Sequence, residues 1–450
     1  MLSELGQLPV APSLSLVTSY LDAAPNAVAA ANAVKSVMGK NAELRSGAAA
    51  KAALEKAMAI FQDEKAKGDA DAGYAIDELN GMLAKVSADG FVDVTSTMRT
   101  AGKQKELAGK HENFELWMDW KSDKSAILKL RSMPELQLDG TIGVSYLYAG
   151  ETTTGNVNTA GEYNALYVKV LNDRLWVTSN GKKVVENAVL KNVNGSADIN
   201  VSGVISLIDN GSASAFSNIL LKDLPSSPVY TLPREEKAQG FEVLFDGRSL
   251  KNFHGNMVNY VPQDGNIYVS AGYGSGGNLY TNKKYSDFVY RFEFSFVSPG
   301  VNNGIGIRTK DGVDAAYDGM EIQVLDHDDP IYKGLMPYQQ HGAVYGIIVP
   351  KHVTFGKLGT WNTEEIKAVG DHITVTVNGE VILDGNIREA CKGHNVAPDG
   401  SEKNPYTVDK HNHPGLFNKD GYISFCGHGE GVKFRNVRIL DLSKSKTKKK

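Results

Sequence analysis

Two hydrophobic periodicities divide this chain. From the N-terminus to roughly residue 86, apolar positions recur three and four apart among strong helix formers, as in AVAAANAVKSVM and SGAAAKAALEKAMAIFQDEKA. This predicts a small α-helical segment, with Ser46 and Asp71 as caps and Gly39 and Gly68 as breaks. It carries no evident chemistry, and packing or partner contact is its expected work. From about Asp89 to about Leu442 the period falls to two, in short strands divided by Gly, Asn and Asp turns. Strands in that number with no helices between them predict a mainly β fold, a two-sheet β-sandwich of jelly-roll type. Asn378 and Gly379 in VTVNGEVIL mark a hairpin turn.

The β-rich part repeats itself. Residues 161–181, GEYNALYVKVLNDRLWVTSNG, run without a gap against 359–379, GTWNTEEIKAVGDHITVTVNG, and residues 203–224 run equally against 421–442. NFELWMDWK from Asn113 matches DFVYRFEFS from Asp287, and PELQL from Pro134 matches MEIQV from Met320. The expected organisation is a helical segment over 1–86, one jelly-roll copy over 89–235, a second over 238–443, and a basic tail over 444–450. The linker SSPVYTLPREEKAQG joins the copies.

The second copy concentrates the chemistry, in DGMEIQVLDHDDPIYKGLMPYQQHGAVYGII from Asp318 to Ile348. Period two turns Met320, Ile322 and Val324 to a core and Glu321 and Gln323 to the other face. HGAVYGII reads as another strand, with His341, Ala343 and Tyr345 on one face, so acid, amide, imidazole and phenol are expected to converge. The same parity adds Ser424, Cys426 and His428 from GYISFCGHGE, and Gly304, Gly306 and Arg308 from NNGIGIR. Those glycines would leave bare backbone for a flat ligand. Glu293 is a further carboxylate, more simply read as a solvated residue. His411 and His413, in the long loop from Arg388 to Asp420, read as surface residues.

Comparing copies narrows the set. Arg131, Glu135, Gln137 and Tyr146 stand for Arg308, Glu321, Gln323 and Tyr345, but Ile142 stands for His341, Asn210 for His428, and the loop carrying Asp326 and His327 shrinks to LDGTI. Imidazole titrates near neutrality and can move protons or bind a metal, which Ile and Asn cannot. The second copy is therefore expected to work and the first to be degenerate.

Composition excludes more than it assigns. The 42% apolar and 22% charged content is that of a globular chain, and the net charge of −4 gives no reason to expect nucleic acid. No apolar run is long enough to span a bilayer, and no signal peptide is visible. Cys391 and Cys426 either pair or stay free; two are too few for a disulfide framework or a thiolate metal site. A metal would then be held by carboxylate, imidazole and amide oxygen.

Taken together, FEVLFDGRSLKNF, NNGIGIR, MEIQVLDHD, HGAVYGIIVP, GTWNTEEIKAVGDHITVTVNG and GYISFCGHGEGVKFRNVRI resemble the bacterial domain of unknown function 1080, the 3-keto-disaccharide hydrolase domain. The resemblance is good over 238–443 and weak over 89–235. One departure is CGHG around His428, where the family more often has Gln-Asp-His-Gly. The resemblance implies two tandem concanavalin-like jelly-roll β-sandwiches in a periplasmic, secreted or cell-envelope protein that acts on glycosides oxidised at C3. Some relatives are lyases that use a divalent metal, so an ion such as Mg²⁺, Mn²⁺ or Ca²⁺ is an implied cofactor and a carbohydrate the implied partner.

A C3 ketone acidifies the C2 proton, and the enolate formed by its removal expels the C1 substituent. That needs a base, an electrophile at the ketone oxygen and an acid for the leaving group. It does not need the paired carboxylates of an ordinary glycosidase. The expected catalytic group is Glu321, Asp326, His327, His341 and His428. Within it Glu321 and His341 take metal or ketone contacts, and Asp326 or His327 the proton. Arg308, Gln323 and Tyr345, joined by His428, bind the sugar. The alternative is a non-catalytic carbohydrate-binding module with Tyr345, Tyr338 and Tyr422 as stacking platforms, which leaves the histidines without use. A structural adaptor would account for residues 1–235 and not for the second copy.

Overall fold

The computed structural model describes all residues except 1, 46–47, 89–90, 149–161, 197–198, 210–213, 271–276, 395–407 and 444–450. It divides into two units, Met1–Ser226 and Ser227–Lys450. In the first, the helices Ala27–Lys40, Ala48–Ala66 and Ala72–Ala88 close over Ala30, Val34, Leu54, Phe61 and Leu79. Gly68, in the left-handed region at φ +97°, follows the end of the second of these helices. Gly39 breaks nothing: it lies inside Ala27–Lys40.

Alternating strands then build a sandwich in each unit, with antiparallel pairing throughout. In the first, one sheet runs Val92–Asp93, Ala215–Leu224, Asn113–Lys121, Asn164–Leu171, Arg174–Ser179, Lys182–Val189. The facing sheet runs Arg99–Ala101, Gln104–Glu106, Ser206–Asp209, Ser125–Lys129, Glu135–Asp139, Gly143–Ser145. The second unit repeats both orders. Its larger sheet has Glu242–Phe245 and Phe288–Phe296 flanking Val432–Asp441, then Asn362–Val369, His372–Val377 and Glu380–Asn386, with the hairpin Tyr260–Gln263 and Asn266–Val269 added. Its smaller sheet runs Phe253–Gly255, Leu279–Thr281, Tyr422–Phe425, Asn302–Thr309, Met320–Leu325. Phe288, Phe292, Phe294, Phe434, Ile305, Ile322 and Ile423 fill the space between the second pair of sheets. The two mainly β sandwiches are jelly-roll-like copies of one plan.

The repeat extends to unusual backbone. Arg308, at φ +50°, donates from Nε to Ser286 O (2.8 Å) and from Nη1 to Gly370 O (2.7 Å), with Asp287 beside Nη2. Arg131, at φ +47°, does the same with Glu112 O, Asn172 O and Asn113. The turn asparagines Asn180 and Asn378 accept from Ala165 N and Thr363 N at 2.8 and 2.9 Å. Free energy lost by holding these residues at positive φ is offset by their hydrogen bonds to backbone groups of neighbouring segments.

Two further expectations change. HGAVYGII is not a strand: Gly342 and Gly346, at φ +79° and +73°, turn the chain, and only single bridges from Val344 to Ile322 and Ile348 remain. Side chains there do not alternate, and His341 turns into the core while Tyr345 does not. Tyr146 also does not stand for Tyr345. Gln137 pairs with Ser145, so Tyr146 falls opposite Leu136, the place that Val344 takes opposite Ile322. Glu293 lies on the outer face of the larger sheet, bound to Arg435 and Asn436.

Candidate functional site

The smaller sheet of the second unit has one face on the phenylalanine core, and on its other face Glu321 pairs across to Gly306 and Gly306 to Ser424. Glu321 therefore looks along the sheet toward the strand that ends in Cys426 and His428. His428 Nε2 donates to Glu321 Oε1 at 2.8 Å. The carboxylate is 4% exposed and the imidazole 40%, so the pair has a buried anchor and an accessible tip. Accepting at Oε1 selects the Nε2–H tautomer and leaves Nδ1 as the free nitrogen. That hydrogen bond, aided by the charges of Glu321 and Asp314, holds the His428 pKa above its ordinary value against the effect of burial. Cys426 lies beside both; burial, then the Glu321 charge, pushes its thiol well up.

The glycines serve this pair and not a flat ligand. A β-carbon on Gly304 would sit 1.9 Å from Glu321 Oε1, and one on Gly306 would sit 2.4 Å from Ser424 Oγ and 2.7 Å from Ala315 Cβ. The bare backbone expected as a binding floor is already filled by the site's own side chains. In the first sandwich Ile127 and Lys129 take those two positions, since Gln137 pairs with Ile127 and Glu135 with Lys129. Lys129 Nζ then neutralises Glu135 at 3.1 Å. Ile208 falls where Cys426 stands, by the pairing of Ser206 with Lys129; Asn210 lies outside the described residues.

Of the other expected residues, Gln323 and Tyr345 stay near Glu321. Gln323 donates Nε2 to Asn302 at 3.1 Å and buries Oε1 without a partner. Tyr345 accepts at its hydroxyl from Gln339, and its backbone N donates to Glu321 O. Four are elsewhere. Arg308 is 2% exposed and its guanidinium is committed to the backbone carbonyls described above. Asp326 accepts from Gly300 N at 3.0 Å and braces its loop. His327 accepts at Nδ1 from His341 N and donates from Nε2 to Val353 O, so both nitrogens are engaged. His341 is fully buried among Phe294, Phe296 and Phe355. Its Nε2 lies 3.2 Å from Glu364 Oε2, at ion-pair distance but without hydrogen-bond geometry. His341 faces the core and Glu321 the opposite side of the strand, so the expected shared metal is not formed by that pair.

Sequence reasoning missed a second imidazole–carboxylate pair. His413, read as a surface residue, has a side chain 1% exposed and donates Nε2 to Asp409 Oδ2 at 3.0 Å. Its ring packs on Tyr317 at 4.8 Å. The signal was available only as His-Asn-His preceded by Asp409, which is weak on a loop. Tyr317 and Asp314, from the turn before Glu321, were missed too; Asp314 caps the short helix Ala315–Asp318.

Two groups of described residues have ligand geometry for a metal: Glu321, Cys426 and His428, and His327, Asp328 and His352. The second would have to take a nitrogen of His327 from the backbone. The first fits better. Its ligand atoms lie within 4.8 Å of one another, and ligands of one tetrahedral ion stand roughly 3.3–3.6 Å apart, so the 2.8 Å Glu321–His428 bond would have to open to admit an ion. Ser424 Oγ, also buried without a hydrogen bond, is on the same strand face. Cys426 is the one member of this group whose residue type the sequence expectation leaves out of a metal site; both cysteines are free.

The model of the 3-keto-alpha-glucoside-1,2-lyase-like domain family matches residues 62–222 and 240–440. A Bacteroides thetaiotaomicron protein named 3-keto-disaccharide hydrolase is 27% identical over 244 residues, 48% of this chain and 84% of the relative. Two solved structures of candidate glycosyl hydrolases from Parabacteroides distasonis are each 24% identical. They cover 45% and 47% of this chain and 99% and 98% of their own, with TM-scores of 0.38 and 0.39.

Proposed function

Because the chain belongs to the 3-keto-alpha-glucoside-1,2-lyase-like domain family, we propose that its second sandwich cleaves the glycosidic bond of sugars that carry a ketone at C3. The observation that carries this reading is the Glu321–His428 pair, anchored in a buried carboxylate and open at Nδ1. His428 Nδ1 accepts the C2 proton, and Glu321 orients the ring and stabilises the imidazolium that forms. The electron pair closes a C1=C2 bond as the C1–O1 bond breaks. Water added back at C1 gives net hydrolysis; its absence gives a lyase. The Tyr345 hydroxyl holds a sugar hydroxyl beside the pair, whereas Gln323, with Oε1 buried and Nε2 on Asn302, supports the strand face and does not reach the sugar. Asp326, His327, His341 and Arg308 act on the scaffold instead. The first sandwich, with Lys129 on Glu135 and Ile142 and Asn210 at the places of His341 and His428, is the degenerate copy. An exported, periplasmic or cell-envelope location goes with this reading, as the family resemblance implies. Among the described residues no helix is long and apolar enough to cross a membrane.

The proximity of Cys426 to the pair supports a second reading. Glu321, Cys426 and His428 would hold a divalent ion, which would supply the charge that polarises the ketone oxygen. His428 is then a ligand, and activity becomes sensitive to chelation.

The test is a ¹H NMR time course with a 3-keto glucoside and its unoxidised parent, with and without EDTA. A vinylic proton or free 3-keto-glucose from the keto substrate alone supports cleavage by elimination. Loss of turnover on chelation replaces the dyad by the ion, and an unchanged spectrum across several aglycones returns the site to a carbohydrate-binding module.

A further inference from the structure

Elimination needs an acid as well as a base, because a sugar or alkyl alkoxide is a poor leaving group. The Glu321–His428 pair supplies one proton acceptor, and Gln323, an amide, is no acid; the phenol whose hydroxyl has no hydrogen-bond partner is not Tyr345, which accepts from Gln339. It is Tyr317. It precedes Glu321 by one turn and one short strand step, is partly exposed, and its hydroxyl makes no hydrogen bond among the described residues. Burial first, and then Tyr345, Asp409, Asp314 and Glu321 around it, hold the pKa of that hydroxyl above its ordinary value, so the proton is on it at neutral pH.

What fixes the ring is unusual for a surface loop. The segment that carries Asp409 and His413 docks at both ends on this site. Asp409 N donates to Gly346 O, and Gly415 N donates to Tyr317 O at 2.9 Å. Gly346 is at φ +73°, and a β-carbon there would meet Asp409 Oδ2 at 2.4 Å; Gly415 packs against the Asp318 backbone so closely that a β-carbon would lie 1.9 Å from it. Between these anchors the Asp409–His413 pair is almost completely buried, with His413 Nδ1 unpartnered and its ring against Tyr317. A buried carboxylate–imidazole pair is costly to keep unless it orders something.

We propose that Tyr317 is the general acid of the cleavage, donating its hydroxyl proton to the leaving oxygen at C1, and that Asp409 and His413 are positioning residues that hold it. The inference rests on the reading of His428 as base. The C2–H bond breaks toward His428 Nδ1, the C1–O1 bond breaks, and O1 leaves with the Tyr317 proton. Tyr317 regains a proton from solvent and His428 releases one to it.

The experiment uses the full chain and a series of 3-keto glucosides whose leaving groups run from nitrophenolate to alkyl alcohol and sugar. In Tyr317→Phe the loss of kcat is expected to grow with leaving-group basicity, reaching on the order of 10²- to 10⁴-fold for a sugar. His413→Ala is expected to follow the same trend more weakly, and His413→Gln to recover part of it. Tm, measured in parallel, is expected to be unchanged in Tyr317→Phe, which keeps the ring. A loss in Tyr317→Phe that is absent, or equal for every leaving group, overturns the acid role while turnover of the nitrophenyl substrate by wild type still supports the base. No turnover of any 3-keto glucoside by wild type overturns both.

Discussion

Gly304→Ala tests the site through a residue that does no chemistry. The backbone at Gly304 is ordinary strand, so alanine meets no conformational penalty there, but its β-carbon would lie 1.9 Å from Glu321 Oε1, 2.6 Å from Cδ and 2.7 Å from Cγ. Ordinary contact begins near 3.4 Å, so the carboxylate must retreat by about 1.5 Å, more than the 2.8 Å bond to His428 can absorb within hydrogen-bond range. Overpacking of this size costs roughly 1–3 kcal/mol of stability, well short of unfolding a domain. The chemical effect is larger. Without its partner, His428 loses the selected tautomer, and kcat should fall on the order of 10²- to 10⁴-fold, the usual worth of a positioned base. ¹H NMR of the imidazole then provides a second readout. The His428 pKa, raised in wild type chiefly by the Glu321 hydrogen bond, should drop toward the ordinary histidine value. Because the base works deprotonated, the limb of the pH–rate profile should move to lower pH with it. An alanine variant with wild-type kcat and an unmoved His428 titration would refute the dyad. The first sandwich has made this substitution already, with isoleucine at the matching position and a lysine on its carboxylate.

Arg308→Met is expected to lower stability by about 2–6 kcal/mol, because Ser286 O and Gly370 O each lose their donor at about 1–3 kcal/mol. Urea unfolding measures this, and kcat per folded molecule should hold, against a sugar-binding role. His341→Leu leaves Glu364 buried and alone, which costs about 3–5 kcal/mol; adding Glu364→Leu should recover most of it, and a double variant no better than the single would count against a core role for the pair. His428 gives the pH dependence of stability. Its folded pKa is raised, so its contribution is complete below the unfolded value near pH 6.5 and is lost as pH rises through the folded pKa. Thermal melts across that window should show the decline in wild type and not in His428→Ala.

Much of the fold was decided by local pattern. Period two placed Met320, Ile322 and Val324 inside and Glu321 and Gln323 on the other face, and the same parity put Ser424, Cys426 and His428 together. These are consequences of strand geometry that hold whatever the neighbours are. The repeat was equally legible, because two copies of one hydrogen-bond plan keep their turns: Asn180 and Asn378, Arg131 and Arg308. Comparing copies pointed to the second sandwich through His341, His428 and the loop of Asp326 and His327, and of these His428 meets Glu321. What parity could not foresee were departures from the strand. Gly342 and Gly346 look like any glycine in HGAVYGII, yet their positive φ sends His341 inward and ends the alternation on which its role rested. Arg308 followed the face of NNGIGIR only until its own positive φ turned it onto two backbone segments. Lateral neighbours were just as invisible. The sheet ladder sets Cys426 beside Glu321, 105 residues away in number, and the docking of Asp409 on Gly346 brings His413 to Tyr317. Each element's own face is settled by its periodicity, but which elements lie side by side is settled by burial and hydrogen bonding across the whole unit, and the chemistry of this site lies in those lateral contacts.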